Sequence, residues 1–262
     1  MAEPRLGETP FDEAIAFFRQ KQNLPTDAWT DLWEGMHARA FVVAGAREAA
    51  LIEDLRQAVD QALAEGTTIE TFRAEFDEIV ARRGWSYRGS RGWRTRTIFD
   101  TNLRTAYAAG RWNQIQRLKD RRPYLRYSAV MDARTRPEHR AWHGTVLPAD
   151  DPWWRTHYPP NGWGCRCTVQ QLSDRDLARF GYQVSEQAPD VRMQPRGVRL
   201  PGGGTATVET PAGIDTGFGY NVGMAAWGRA QGRVLAAGHG PWRPLAAPGG
   251  SRPAAPGALP AV

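Results

Sequence analysis

The sequence predicts an α+β fold, with a helical N-terminal half followed by a small, loop-rich half that contains the strands. Three observations predict it. Apolar residues recur at helical spacing through the first 118 or so positions. After Pro123 the period shifts to short β-prone runs. Beyond that point Gly, Pro and Trp crowd the chain, as they do where irregular loops cover a small core.

In chain order, Phe11, Ala14, Ile15 and Phe18 predict a first helix, with Thr9 as its cap and Pro10 in its first turn. Asn23-Leu24-Pro25 breaks it. Trp29, Leu32, Trp33 and Met36 then predict a second helix from about Asp27. That helix continues through Leu51, Leu55, Val59 and Leu63 to Gly66, bending near Gly45. Thr67 with Glu70 reads as a capping box opening a third helix, whose apolar side carries Phe72, Phe76 and Ile79. The glycine-rich stretch 84–94 reads as a loop. A fourth helix runs from about Thr95 to Lys119 with Ile98, Leu103, Tyr107, Ile115 and Leu118 facing inward. Strands are expected at 124–131, 144–147, 167–171 and, weakly, 205–208. Ser173 with Asp176 opens a short helix to about Phe180. No internal repeat is visible.

The chain has 262 residues, 41% of them hydrophobic and eleven of them tryptophan, ample for a folded core. No basic-then-apolar leader opens it, and no run approaches the ~18 apolar residues of a membrane helix. Cys165 and Cys167 stand one residue apart, which is no disulfide framework. A soluble protein made in a cytoplasm, with no membrane partner, is the expectation. Net charge is +6 but unevenly spread. Residues 1–81 carry 7 basic and 16 acidic side chains, whereas residues 82–140 carry 16 basic and 4 acidic. Such a middle block would attract a polyanion or an acidic protein surface. A solvated Arg-rich face paired with the acidic first third is the other reading. Arg117, Arg121 and Arg122 are the candidate nucleic-acid contacts.

The densest segment holds Tyr127-Ser-Ala-Val-Met-Asp-Ala-Arg-Thr-Arg-Pro-Glu-His139, His143-Gly144, Asp151-Pro-Trp-Trp154 and Pro159-Pro-Asn-Gly-Trp-Gly-Cys-Arg-Cys167. This segment resembles the central motif of the phage Mu F-like head morphogenesis (minor head protein) family. The likeness extends outward to Phe11–Gln20, Trp29–Val43, Thr101–Arg111 and the Pro211–Gly223 stretch, covering roughly residues 10–225. On that resemblance the chain divides into an N-terminal helical region (1–94), a Mu F-like domain (95–225, central motif 127–171) and a flexible Pro/Gly/Ala-rich tail (226–262). The family implies a non-enzymatic minor head protein at the portal vertex, acting in capsid assembly and in DNA packaging or delivery. Its implied partners are the portal and the major capsid or scaffolding protein; contact with packaged double-stranded DNA, without sequence preference, is the expectation from the basic middle block. Its implied location is the virion, after assembly in the host cytoplasm.

The motif also poses chemical questions. His139 and His143, four apart, share a face if their segment is helical, and Cys165 and Cys167 follow. Two imidazoles and two thiols are the ligand set of a Cys₂His₂ zinc site. In relatives a Cys-x-x-Cys often replaces Arg-Thr-Arg-Pro-x-His. His139 then falls at the second cysteine and Arg136 at the first, so the ligand set here is rearranged. The spacing of one residue is tighter than structural zinc sites favour, and two reduced thiols in a turn is the competing reading. Asp132 could instead orient His139 as a general base, with Asp150 and Asp151 holding a metal. That arrangement is the alternative function, a metal-dependent nuclease or other DNA-processing enzyme. No GxSxG, HExxH or P-loop accompanies it. The reading preferred here makes Asp132, Arg134, Trp154 and Asn161 structural. Asp132 and Arg134 close the β half through charge-assisted hydrogen bonds. Trp142, Trp153, Trp154 and Trp163 form its core or, alternatively, a docking face.

Overall fold

The computed structural model describes residues 11–200 and 203–227, so the tail lies outside the described residues from 228 onward. The fold is α+β as expected. Helix α1 (Asp12–Arg19) buries Ala14, Ile15, Phe17 and Phe18. Phe11 stands at its cap position without a side-chain bond; Thr9 and Pro10 are outside the described residues.

The expected helix from Asp27 does not form. Two 3₁₀ turns, Trp29–Asp31 and Glu34–Ala38, occupy that stretch. A two-residue parallel pairing of β1 (Gln22–Asn23) with β2 (Ala40–Phe41) brackets them. The local reason is Asp31, whose carboxylate takes the amides of Asp27 (2.6 Å) and Ala28 (3.1 Å) and so stabilises a turn in competition with helix. Glu34 (φ +42°) and Gly45 (φ +86°) then take left-handed backbone, through which a right-handed α-helix cannot continue. Helical spacing of the tryptophans was real, but local turn chemistry outweighed it.

Helix α2 (Ala49–Glu65) and α3 (Ile69–Arg83) each end on a left-handed glycine, Gly66 and Gly84. The cap of α3 is Thr68, whose hydroxyl takes the Thr71 amide, one residue beyond the expected Thr67. Phe72, Phe76 and Ile79 are buried. Helix α4 (Arg91–Leu118) starts inside the stretch read as a loop, because Ser90 caps it through the Trp93 amide. Of its expected inward residues, Ile98 and Ile115 are buried, but Tyr107 and Leu118 are exposed. Small residues make the inward face instead: Ala106, Ala109 and Gly110. A Cβ on Gly110 would lie 2.7 Å from the Ala14 backbone nitrogen, so α1 crosses α4 where only glycine fits.

In the second half, β3 (Tyr124–Ser128) is the centre of a three-stranded antiparallel sheet, flanked by β4 (Val146–Pro148) and β5 (Thr168–Leu172). Leu125 pairs with Leu147, and Tyr127 with Val169. Strand β3 ends three residues short of its expected limit, and Met131 (φ +64°) turns the chain. Short helices α5 (Pro137–Trp142) and α6 (Trp154–His157) sit in the loops. Helix α7 (Asp174–Phe180) has the expected box, Ser173 and Asp176 each taking the other's amide. A hairpin follows, β6 (Met193–Arg199) with β7 (Thr205–Pro211). Strand β6 was not legible: Pro195 and Gly197 interrupt it, and its side chains are mostly exposed, so no alternation marks it. Helix α8 (Val222–Trp227) closes the described chain.

Two apolar cores result, and α4 belongs to both. Ile98, Phe99, Ala106 and Ala109 join Phe17, Phe18, Leu55, Phe72 and Phe76 in the helical core. Trp112 and Ile115 join Leu125, Tyr127, Trp142, Trp153, Trp154 and Tyr158 in the aromatic one. Val222 and Ala225 of α8 return to the first core, with Gly223 against Trp112. Each large side chain buried this way contributes roughly 1.5–3 kcal/mol. Among the described residues, no helix is long and apolar enough to cross a membrane.

Candidate functional site

The dense motif folds around the end of β3. Where the strand stops, Asp132 organises a turn: its Oδ1 takes the Arg134 amide (3.0 Å) and the Thr135 hydroxyl (3.2 Å). The sequence reading has Asp132 and the Arg134 guanidinium close the β half through charge-assisted hydrogen bonds. That guanidinium is largely exposed and only 3.7 Å away, and the main partner is Arg166. Arg166 grips both carboxylate oxygens in a fork at 2.7 and 2.6 Å. The fork holds the Asp132 carboxyl well below the usual carboxylate range. Arg140 adds a bond to the Asp132 carbonyl (2.7 Å). Asp132 thus staples the turn after β3 to the Cys-Arg-Cys loop before β5, and it makes no bond to His139.

Asn161 and Trp154 fix the loop between β4 and β5. Asn161 is fully buried; its Oδ1 accepts from the Tyr127 hydroxyl (2.9 Å), and its carbonyl accepts the Asp215 amide (2.9 Å). Trp154, also fully buried, donates its indole N–H to the Pro148 carbonyl (3.0 Å), while Asn221 donates to the Trp154 carbonyl (3.1 Å). Trp142 and Trp153 are core as well, packing edge-on 5.8 Å apart. Trp163 is 39% exposed, lying edge-on to Trp29 and Phe218. His157, stacked on Trp153 at 4.4 Å, is driven by burial down to about 4 and stays neutral.

The stretch from 211 to 223 returns to the motif, which spacing could not reveal. Asp215 takes Arg136 (2.7 Å) and the Trp163 amide (2.8 Å) on one oxygen. Both groups close over Gly162, where a Cβ would collide with Arg136 and Asp215. Arg166, Arg136 and Asp215 are therefore the site residues sequence reasoning missed. Arg166 had one signal, a lone charge between two cysteines of a buried-type loop; Asp215 had none.

Three of the four candidate metal ligands converge. His139 Nδ1 lies 3.4 Å from Cys167 Sγ and 3.8 Å from Cys165 Sγ. Among the described residues, these three form the group of His, Cys, Asp or Glu close enough to share an ion. His143 is elsewhere. It follows the last turn of α5 with extended backbone, takes the Ala129 amide at Nδ1 (3.1 Å) and has Arg126 beside Nε2 (3.3 Å). The two cysteines are free thiols, each with its sulfur against His139 Nδ1; Cys167 beside it favours Cys165 losing its proton and is itself pushed up in return. Asp150 and Asp151 do not join the group: Asp150 pairs with Lys119 (2.8 Å), and Asp151 caps the Trp153 amide (2.8 Å).

Of the candidate nucleic-acid residues, Arg117 pairs with Glu13, and Arg122 with Asp176 (2.8 Å) and the Gln171 carbonyl (3.1 Å). The acidic first third therefore answers part of the basic middle. Arg121 has no ion pair among the described residues. A cavity of about 290 Å³ between α4 and the motif is lined by Arg104, Tyr107, Arg111, Tyr158 and Arg166. Arg104 and Arg111 have no ion-pair partner among the described residues, and the buried Nε of Arg104 has no hydrogen bond.

Fold and site together define a helical platform carrying a small aromatic α+β unit, whose polar motif residues chiefly brace long loops. Protein-family comparison agrees: the family described as phage Mu protein F like protein matches residues 53–170. The chain belongs to this phage Mu F-like family. It is 38% identical over 250 residues to the "Putative capsid assembly protein F" of Escherichia phage Mu, covering 85% of this chain and 56% of that one. It is 36% identical over 220 residues to the "Mu-like prophage FluMu F protein" of Haemophilus influenzae, covering 76% and 53%. The chain thus spans about half the length of these curated relatives. No solved structure matches it.

Proposed function

We propose that this protein is a minor head protein of a tailed phage or prophage-like particle, acting non-enzymatically in head assembly at the portal vertex. Likeness to a relative named for capsid assembly supports the role. The observation that carries the non-enzymatic part is the partnering of the motif: Asp132 is spent on Arg166, Asn161 on Tyr127, and Asp150 and Asp151 on Lys119 and a backbone amide. A hydrolytic centre would instead leave a base and carboxylates converging on open space. The portal and the capsid or scaffolding protein are the proposed partners, and the virion head the proposed location. Sedimenting particles and identifying their proteins by mass spectrometry tests the role. The protein should pellet with heads; recovery only in the soluble lysate would overturn it.

Contact with packaged DNA is part of the same reading. Arg117 and Arg122 are already satisfied internally, so the contact is assigned to Arg104, Arg111 and Arg121. Arg104 and Arg111, seven residues apart on α4, share a face with Tyr107 beside the cavity. Random duplex DNA should bind with affinity falling steeply with salt, the log–log slope being about −0.9 per phosphate contact. Changing Arg104, Arg111 and Arg121 to glutamate should flatten that slope. Absence of binding by the parent protein at low salt would remove DNA from the list of partners.

A further inference from the structure

We propose that His139, Cys165 and Cys167 bind one zinc ion, with the fourth coordination position open to solvent. The distances carry this. With Zn–N of about 2.0–2.1 Å and Zn–S of about 2.3 Å, tetrahedral donors lie roughly 3.5–3.8 Å from one another. Nδ1 of His139 lies 3.4 and 3.8 Å from the two sulfurs, and all three ligand atoms fall within 4.8 Å of one another.

The imidazole is also turned the right way. His139 Nε2 lies 2.8 Å from the Gly213 carbonyl, which can only accept, so Nε2 carries the proton. In the neutral ring the Nδ1 lone pair then points to the sulfurs. A ligating histidine typically has its other nitrogen fixed in this way by a carbonyl or carboxylate. The ring is held further by stacking on Trp142 at 5.1 Å. His139 is 3% exposed and Cys165 6%, while Cys167 is half-buried, so two of the three donors are fixed in the interior and the third stands at its edge.

Beside the trio opens a cavity of about 130 Å³, lined also by Arg134, Arg136 and Trp163. Arg136 Nη1 is buried without a hydrogen-bond partner. A solvent-derived fourth ligand would share that cavity. Two sulfurs and one imidazole, with no carboxylate in the group, select zinc over magnesium or calcium. Binding would release the thiol protons to solvent and tie α5, the Cys-Arg-Cys loop and, through Gly213, the 211–223 stretch into one unit.

The test uses the full chain purified under thiol reductant. Elemental analysis after dialysis against zinc should give about one ion per chain. Titration with cobalt(II) should produce sulfur-to-cobalt charge-transfer absorption together with the intense visible bands of a tetrahedral site. Cys165→Ser with Cys167→Ser should abolish both, whereas His143→Ala should keep both. Chelation should lower Tm, since metal binding is linked to folding. The cobalt titration reads the parent protein directly, so it decides the matter even where the serine variants fold poorly. Folded parent protein that takes up neither ion overturns the proposal, as does full zinc content in the double serine variant.

Discussion

Trp154→Ala should cost about 3–5 kcal/mol of stability and leave little soluble protein at growth temperature. Trp154 is fully buried, packs edge-on against Trp153 at 5.0 Å and donates its indole N–H to the Pro148 carbonyl. Alanine removes the apolar contact area, leaves a cavity in a core with few aliphatic side chains to collapse into it, and orphans a carbonyl. The loss should not stay local. The Trp154 carbonyl is bonded by Asn221, which leads into α8, and α8 packs on α4 and the helical core. Both cores should therefore unfold together, giving a single thermal transition at lower temperature by circular dichroism. A Tm change of only a degree or two would show that the aromatic unit does not depend on this side chain. Trp154→Phe keeps most of the area and loses the N–H, so it should fall between the two.

The fold class was legible because its signals are local. Apolar stripes such as Phe72, Phe76 and Ile79 need only one helix to be read, and the Ser173–Asp176 box only four residues. The misread parts depended on competition or on distance. Trp29 and Trp33 carry helical spacing, yet Asp31 and the left-handed Glu34 hold turns there. Tyr107 and Leu118 look apolar enough to face inward, but α1 lies so close to α4 that alanines and Gly110 take the contact. Half of the site was legible in the same sense. His139, Cys165 and Cys167 are suggestive by residue type, and the structure brings them together. The parts that place them, Arg166 on Asp132, Asp215 on Arg136 and the Gly213 carbonyl on His139, bridge up to 79 positions, and no periodicity reports such contacts.

On the proposed assembly role, Asp132→Asn should reduce head assembly by loosening the motif, without blocking a chemical step. Asparagine can keep the turn bonds to the Arg134 amide and the Thr135 hydroxyl, but it cannot balance the Arg166 fork. Arg166, half-buried beside the two cavities it lines, would lose its counter-charge and the charge-assisted fork. The Cys-Arg-Cys loop and the turn after β3 would then separate, and amides in both should exchange faster with solvent. Because the native Asp132 carboxyl is depressed by Arg166, the staple is intact above the ordinary carboxylate pKa and is lost only as pH falls well into acid. The parent should therefore lose more Tm in acid than the asparagine variant, which keeps the acid dependence contributed by Asp54, Asp77 and Asp176. Electron microscopy of lysates complemented with Asp132→Asn tests the bracing role most directly. A bracing role predicts less soluble protein and few or malformed heads. Normal numbers of well-formed but non-infectious heads would contradict it and point to a catalytic Asp132.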